Sequence, residues 1–189
     1  SEIYPDEDAA PPGLLAACRE LGVDDFRNCV SMHSLSKRSN LPGLRSGFAA
    51  GDARILQAFL RYRGYHGSAM PPHHQVASTV AWSDEEHVID NRRRYRDKFA
   101  AVARILAPVL PLNDPGGGFY LWPETPLDDE CFTQRLYHEA GVLVLPGSYL
   151  GRDGRRGNPG RHRVRMALVA ELDDCVEAAQ RVAAFVAGL

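Results

Sequence analysis

The sequence has 189 residues, which is enough for one large domain or two small ones with a buried core. Its net charge of -2 argues against a general nucleic-acid-binding protein, and no apolar run approaches the roughly 20 residues that a membrane helix needs. The cysteines are far apart and form no Cys-x-x-Cys pair, so neither a zinc site nor a disulfide framework is indicated, and we expect a cytoplasmic protein.

The first half of the chain is predicted to contain several helices and one strand. A proline pair and Gly22 bracket the first helix, and the sequence SDEE (83–86) is a capping signal for the longest one. The charged stretch DNRRRYRDK is interpreted as the solvated face of that long helix. The predicted elements are a helix at Leu14–Leu21, a buried strand at Asn28–His33, helices at Asp52–Tyr62 and at Gln75–Trp82, and a long helix that starts after the SDEE signal and runs to about Ala107.

The second half alternates strands and helices, which is typical of a compact α/β or α+β unit. We place a boundary near Leu110, giving domains at residues 1–110 and 111–189. The predicted elements are strands in GGGFYLW (116–122), VLVLP (142–146) and RVRMALV (163–169), and helices at Asp129–Ala140 and Asp173–Val186.

The only lysines are Lys37 and Lys98, because arginine supplies nearly every other positive charge. A primary amine can lose its proton and attack a carbonyl carbon, which a guanidinium cannot do. Ser34 and Ser36 flank Lys37 with hydroxyls, and Arg45 follows a Pro-Gly turn that can fold it back. Hydroxyls, an arginine and free N–H groups suit a dianionic phosphate, and a lysine beside such a site is the arrangement that holds pyridoxal phosphate. From the residues alone, an exposed loop lysine with a surface arginine stays an open alternative.

The stretch SLSKRSNLPGLRSG (34–47) resembles the lysine motif of the fold-type I pyridoxal-phosphate aminotransferases of class I and II. In that motif a serine stands three residues before the lysine, an arginine eight residues after it and a glycine two residues before the arginine, as Ser34, Arg45 and Gly43 do here. The resemblance extends from Val30 to Leu189. It includes GGGFYLW, the segment GVLVLPGSYLG, and RVRMALV, which is similar to the strand whose arginine clamps the substrate α-carboxylate.

The resemblance implies an α/β fold of fold-type I, with the C-terminal part of the large cofactor-binding domain at 1–110 and the small C-terminal domain at 111–189. It implies that Lys37 forms the Schiff base with pyridoxal 5'-phosphate and, once freed, moves a proton between the substrate Cα and the cofactor. Ser34 and Arg45 would bind the phosphate, with Ser36 as a further candidate.

The arginine that would hold the α-carboxylate is Arg165. Alternation along the strand puts Arg161, Arg163 and Arg165 on one side, so the pattern alone does not choose between them. The family places its arginine directly before an apolar-small-Leu run, here residues 166–168. The planar fork of an arginine suits a bidentate contact with a carboxylate.

Three stretches, YRGYHGSAMPP, SLSKRSNLPGLRSGF and DNRRRYRDKF, look most like bacterial N-succinyldiaminopimelate aminotransferases. This implies transamination between N-succinyl-L,L-2,6-diaminopimelate and 2-oxoglutarate or glutamate in lysine biosynthesis, with small amino-acid and 2-oxo-acid substrates and a homodimer. The candidates for substrate contacts across the dimer interface are Arg63, Tyr65, His66 and Ser68; the alternative for each is an ordinary loop residue.

The N-terminus departs from the family, which uses an Asp-x-x-Tyr pair roughly thirty to forty residues before the lysine. Tyr4 lies 33 residues before Lys37, but Ser1 would occupy the position of the aspartate that pairs with the pyridine nitrogen. Either Ser1 stands in that position, or the chain begins just after the pair; we favour the second interpretation. We therefore expect this chain to be part of a longer protein and not a competent enzyme alone.

Other functions remain as alternatives. The chain could instead belong to another class I or II aminotransferase of the aromatic, alanine or aspartate type, or to a C–S β-lyase. A non-catalytic fragment or interaction module is the alternative from a different class. Metal binding at His73-His74 is disfavoured because no carboxylate or cysteine stands at ligand spacing. The basic loop from Arg152 to Arg163 lacks the interleaved aromatic residues of a nucleic-acid site, so neither nucleic acid nor a membrane is expected as a partner.

Overall fold

The computed structural model describes residues 3–4, 10–67, 69–112 and 116–189. These residues form two compact units. The first contains the described residues up to Asn91 except Ile3 and Tyr4, which belong to the second unit together with Arg92–Leu189. The division of the complete protein into domains at 1–110 and 111–189 stays a prediction. Among the described helices, none is long and apolar enough to cross a membrane.

The first unit holds a two-stranded antiparallel sheet with helices before and after it. Its strands pair in the register Ser34↔Gly47 to Val30↔Gly51. A turn of 3-10 helix at Pro42–Leu44 connects them. The elements are α1 (Leu14–Glu20), β1 (Val30–Ser34), α2 (Leu35–Arg38), β2 (Gly47–Gly51), α3 (Ala53–Arg63), α4 (Pro72–Ser83) and the start of α5 (Glu86–Leu106).

Strand β1 is not the buried strand that the sequence predicted. None of its five residues is buried, and the side chain of Met32 is 72% exposed. Helix α3 likewise buries no residue, although its apolar residues have the predicted helical spacing. The helices themselves are confirmed to within a few residues. Helix α4 begins earlier than predicted, since Pro72 suits the first helical position.

The second unit packs helices against a three-stranded antiparallel sheet of order β3-β5-β4. Its core joins α5, α6 and α7 to the sheet, and Phe132 and Phe185 meet edge to face at 5.4 Å. The elements are the rest of α5, β3 (Tyr120–Leu121), α6 (Asp129–Ala140), β4 (Leu145–Pro146), β5 (Val164–Ala167) and α7 (Leu172–Ala187). Only the last two residues of the predicted strand VLVLP pair in the sheet.

The charged middle of α5 is not wholly solvated, which corrects the sequence-based interpretation. Lys98 is only 8% exposed and Tyr95 only 6%. The Lys98 Nζ lies 5.1 Å from the centroid of the Tyr95 ring, a cation–π contact that compensates part of the cost of burying the amine. Lys98 is therefore part of the packing of the second unit and not a member of a solvated charged face.

Candidate active site

Helix α2 carries Lys37 on a single helical turn that starts where β1 ends. Ser34 closes β1 and is the N-cap of α2, its side-chain oxygen accepting a hydrogen bond from the Ser36 N–H at 3.1 Å. The Leu35 N–H donates to the Ser46 carbonyl at 3.1 Å, and the Leu35 side chain is fully buried. Lys37 is on the exposed side of the same turn. The local sequence thus anchors one face of α2 and presents the lysine on another.

The two serine hydroxyls lie together at the start of α2. The Ser34 hydroxyl donates to the Ser46 carbonyl at 3.1 Å, and its oxygen is 2.9 Å from that of Ser36. This arrangement needs the close approach of β2, where a Cβ on Gly47 would lie 2.5 Å from the His33 carbonyl oxygen. Glycine at 47 therefore allows the strand pairing that brings the hydroxyls to the Arg45 loop.

Arg45 lies two residues before Gly47, at the C-terminal end of the 3-10 turn. Its backbone is left-handed, with φ 50° and ψ 35°, which is uncommon for a residue other than glycine. The guanidinium donates from Nη1 to the Pro42 carbonyl at 2.8 Å and is exposed. Within the described part of the chain no carboxylate pairs with it. The loop fixes the guanidinium and leaves it donors for an anion from outside.

These groups fit pyridoxal phosphate by their chemistry. Two hydroxyls and a guanidinium are phosphate ligands, and the amine of Lys37 is the nucleophile that an aldehyde requires. The predicted residues Ser34, Ser36, Lys37 and Arg45 all lie on the segment from the end of β1 to the start of β2. The structure thus brings their backbone positions together, although their roles stay a prediction.

Asp52 was missed as a residue that supports this segment. It is 3% exposed, and its carboxylate accepts from the N–H groups of Asn28, at 2.8 Å, and Arg54, at 2.8 Å. These bonds, led by the one from Asn28, lower the pKa of Asp52. The carboxylate therefore caps α3 and also fixes the chain just before β1. A Gly-Asp pair before a periodic apolar run is a sequence signal that indicates such a cap.

The candidates for substrate contacts across the dimer interface lie at and after the C-terminal end of α3. Arg63 is the last residue of α3, and Tyr65 in the following turn is 89% exposed. His66 stacks on Tyr62 with ring centroids 4.3 Å apart. The remaining candidate, Ser68, lies outside the described residues.

The second unit separates the three arginines that alternation had placed on one side. Strand β5 begins at Val164, so Arg161 lies in the preceding turn. Arg163 forms an ion pair with Glu124 and donates to the Trp122 carbonyl at 3.3 Å. Arg165 is half-buried, and its guanidinium lies 6.0 Å from the centroid of the Tyr120 ring. No described carboxylate pairs with Arg165.

A buried carboxylate organises the segment that precedes β5. Asp129 is 1% exposed and accepts from the N–H groups of Ser148, at 2.8 Å, and His162, at 3.1 Å. Burial acts to raise the pKa of Asp129, but hydrogen bonds from Ser148 and His162 outweigh it, and the pKa is lowered. The Asp129 carboxylate thus holds both the Pro-Gly-Ser turn and the backbone that leads into β5, the strand that carries Arg165.

Two positions from the sequence analysis have other surroundings. The Tyr4 ring lies 4.3 Å below the guanidinium of Arg92, and Ser1 is outside the described residues. The rings of His73 and His74 meet edge to face at 4.6 Å. Within the described ranges, no three His, Cys, Asp or Glu side chains cluster as metal ligands do.

Comparison with known proteins identifies the family of this chain. Residues 5–182 match the family Aminotransferase class I and II. The chain belongs to that family, whose members use pyridoxal 5'-phosphate, and it has the corresponding α/β fold of fold-type I.

Three similar proteins illustrate the match. The 4-dedimethylamino-4-oxo-anhydrotetracycline transaminase OxyQ of Streptomyces rimosus is 33% identical over 93% of this chain and 46% of its own length. The crystal structure of an aminotransferase from Neisseria meningitidis is 49% identical, with a TM-score of 0.92 over 98% of this chain and 47% of the other. A probable N-succinyldiaminopimelate aminotransferase from Thermus thermophilus is 30% identical, with a TM-score of 0.80 over 97% of this chain and 47% of the other. The chain spans about half the length of these proteins.

Proposed function

We propose that the complete protein is a pyridoxal-phosphate-dependent aminotransferase in which Lys37 attaches the cofactor. The observation that carries this proposal is the segment between β1 and β2. There an exposed lysine follows two hydroxyls that are 2.9 Å apart and precedes an exposed arginine held by its own loop. When bound, pyridoxal phosphate supplies the electron sink that stabilises negative charge at the substrate Cα.

The residues of this chain have separate tasks in the proposed reaction. Ser34, Ser36 and Arg45 bind the phosphate, and so fix the cofactor relative to α2. The amine of Lys37 holds the cofactor covalently until substrate displaces it, and then moves the proton at the substrate Cα. Arg165 binds the α-carboxylate through a bidentate fork, which a lysine cannot reproduce.

The proposed substrates are N-succinyl-L,L-2,6-diaminopimelate and the 2-oxoglutarate/glutamate pair, which would place the enzyme in lysine biosynthesis. The similarity to the Thermus thermophilus protein supports this assignment. The proposed protein is a homodimer in which Arg63 and Tyr65 contact the side chain of the substrate in the neighbouring active site. Both residues are exposed in this chain, as such a role requires.

Steady-state kinetics of the complete protein test the proposal. N-succinyldiaminopimelate, glutamate, alanine and phenylalanine are compared as amino donors with 2-oxo acids as acceptors. We expect turnover with the first two at the highest kcat/KM and none in Lys37→Ala. Lys98→Met is the control, because methionine keeps the apolar stem that packs in the second unit.

The outcomes separate the parts of the proposal. A preference for alanine or phenylalanine would replace the substrate assignment and leave the aminotransferase assignment intact. Full turnover by Lys37→Ala would contradict the role of Lys37. No turnover with any donor, together with no binding of pyridoxal phosphate, would favour a non-catalytic protein.

A further inference from the structure

Helix α2 needs anchors from outside itself. It has four residues, and a helix of one turn is unstable alone because nucleation is costly. Its buried residues are Leu35 and Arg38, which are three positions apart and so lie on one face. Leu35 fills apolar space, but a buried arginine next to the exposed Lys37 requires a different explanation.

The guanidinium of Arg38 binds the C-terminal end of α4. Arg38 is 5% exposed, and its Nη1 donates to the Ala81 carbonyl at 2.9 Å. Its Nη2 donates to the Trp82 carbonyl at 3.5 Å and forms an ion pair with Glu85. Carbonyls in the last turn of a helix lack intrahelical partners, and a cation there is favoured by the helix dipole. Arg38 thus ties α2 to the end of α4.

The same side chain connects α2 to the sheet through aromatic rings. The guanidinium lies 5.0 Å from the centroid of the Trp82 ring. Trp82 meets Phe48 edge to face at 5.0 Å, and Phe48 stacks on His33 at 5.3 Å. Because Phe48 is in β2 and His33 in β1, one continuous set of contacts joins α4 to both strands and to α2.

We propose that Arg38 is a positioning residue that fixes the direction in which Lys37 presents its amine. This inference rests on the proposed attachment of pyridoxal phosphate to Lys37. Arg38 follows Lys37 directly in the chain, so a rotation of α2 that frees Arg38 also swings the lysine. A lysine at 38 cannot serve, because only the planar guanidinium binds several acceptors in fixed directions while stacking on an indole ring.

The test separates presentation of the amine from cofactor binding and from folding. In the complete protein, Arg38→Met and Arg38→Lys are compared with wild type. The first readout is the rate at which added pyridoxal phosphate becomes attached to Lys37, measured by borohydride quenching and peptide mass spectrometry. The second is the affinity for pyridoxamine phosphate, which has no aldehyde and cannot react with the amine. Thermal unfolding is followed in parallel.

We expect attachment to slow about 10- to 100-fold in both variants, since displacing a reacting group by about 1 Å has effects of this order. Pyridoxamine phosphate affinity should stay within about threefold, because the phosphate candidates Ser34 and Arg45 lie outside α2, and kcat should fall more than KM changes. Arg181→Met is the matched control: it also loses an ion pair with a glutamate, on α7, and should attach the cofactor at the wild-type rate.

Several results would overturn the inference. One is a folded Arg38→Met protein that attaches the cofactor as fast as wild type, even if its unfolding temperature is lower. Another is a loss of affinity for pyridoxamine phosphate as large as the loss in attachment rate, which would mean that removing Arg38 disrupts the whole site.

If the Arg38 variants do not fold, Glu85→Gln tests the inference in their place, since the Glu85 side chain is 63% exposed and its replacement is tolerated more readily. We expect Glu85→Gln to slow attachment about threefold or more, and an unchanged rate would overturn the inference. No attachment to Lys37 in wild type would instead contradict the proposed function itself.

Discussion

Replacing Asp129 by asparagine tests the energetic account of the segment before β5. The carboxylate is 1% exposed and accepts from two backbone N–H groups, of Ser148 at 2.8 Å and His162 at 3.1 Å. A hydrogen bond to a charged group contributes about 1.5–3 kcal/mol. Asparagine keeps one acceptor oxygen, so the substitution should lose the equivalent of one such bond, about 1.5–3 kcal/mol.

Hydrogen exchange of the complete protein measures this loss directly. When opening is fast relative to exchange, about 1.4 kcal/mol corresponds to a tenfold change, so the Ser148 and His162 amides should exchange roughly 10- to 150-fold faster in Asp129→Asn. The neighbouring Glu130 is exposed and, among the residues that the structure describes, accepts only from the Tyr149 hydroxyl at 3.2 Å. Glu130→Gln is therefore the control and should change exchange less than about threefold.

The effect should also depend on pH in a defined direction. The pKa of Asp129 is lowered in the folded protein. Its stabilisation is therefore complete above the unfolded value of about 4 and disappears as the pH falls through the lowered value. Wild type and Asp129→Asn should converge under strongly acidic conditions. Equal exchange in Asp129→Asn and Glu130→Gln at neutral pH would refute the reasoning.

Three further predictions concern separate sites. Arg45→Ala should lower the affinity for pyridoxal phosphate roughly 10- to 150-fold, as loss of a charge-assisted contact of about 1.5–3 kcal/mol implies; an unchanged titration would remove Arg45 from the phosphate site. Arg165→Lys should lower kcat/KM by a similar factor for every amino donor, whereas Arg63→Ala should penalise N-succinyldiaminopimelate and glutamate more than alanine; the reverse pattern would exchange the two roles. Native alkylation should modify exposed Cys131 at least about tenfold faster than buried Cys18, whose pKa is raised first by a hydrogen bond with Cys29 and then by burial; equal rates would contradict this.

Elements with local signals could be predicted from the sequence. Helix α6 spans Asp129–Ala140 as predicted, because Asp128 caps its first turn and Gly141 ends it in a left-handed conformation. The lysine segment was recognised from the spacing of four residues, although the two elements around it, α2 and β2, were not. The sequence SLSKRS contains no periodic apolar pattern, so a single capped turn leaves little trace in it.

Contacts between distant residues could not be predicted. The partners of Arg38 on α4 and beyond are 43 to 47 residues away in sequence, and nothing near Arg38 indicates them. Lys98 appeared solvated because its neighbours in sequence are charged, yet its stem packs beside Tyr95 in the second unit. Cys18 and Cys29 were separated by sequence distance, yet in the fold Cys29 is close enough to raise the pKa of Cys18. Each error came from judging a side chain by its sequence neighbours.

The most direct test of the account is to locate the covalently bound cofactor. The complete protein is loaded with pyridoxal phosphate, reduced with borohydride, digested and mapped by mass spectrometry. The chain described here has two lysines, Lys37 and Lys98, which fall in different peptides after cleavage at the intervening arginines. The account predicts a pyridoxyl adduct on the peptide that contains Lys37 and none on the peptide that contains Lys98. An adduct on Lys98, or on neither lysine in a protein that binds the cofactor, would contradict it.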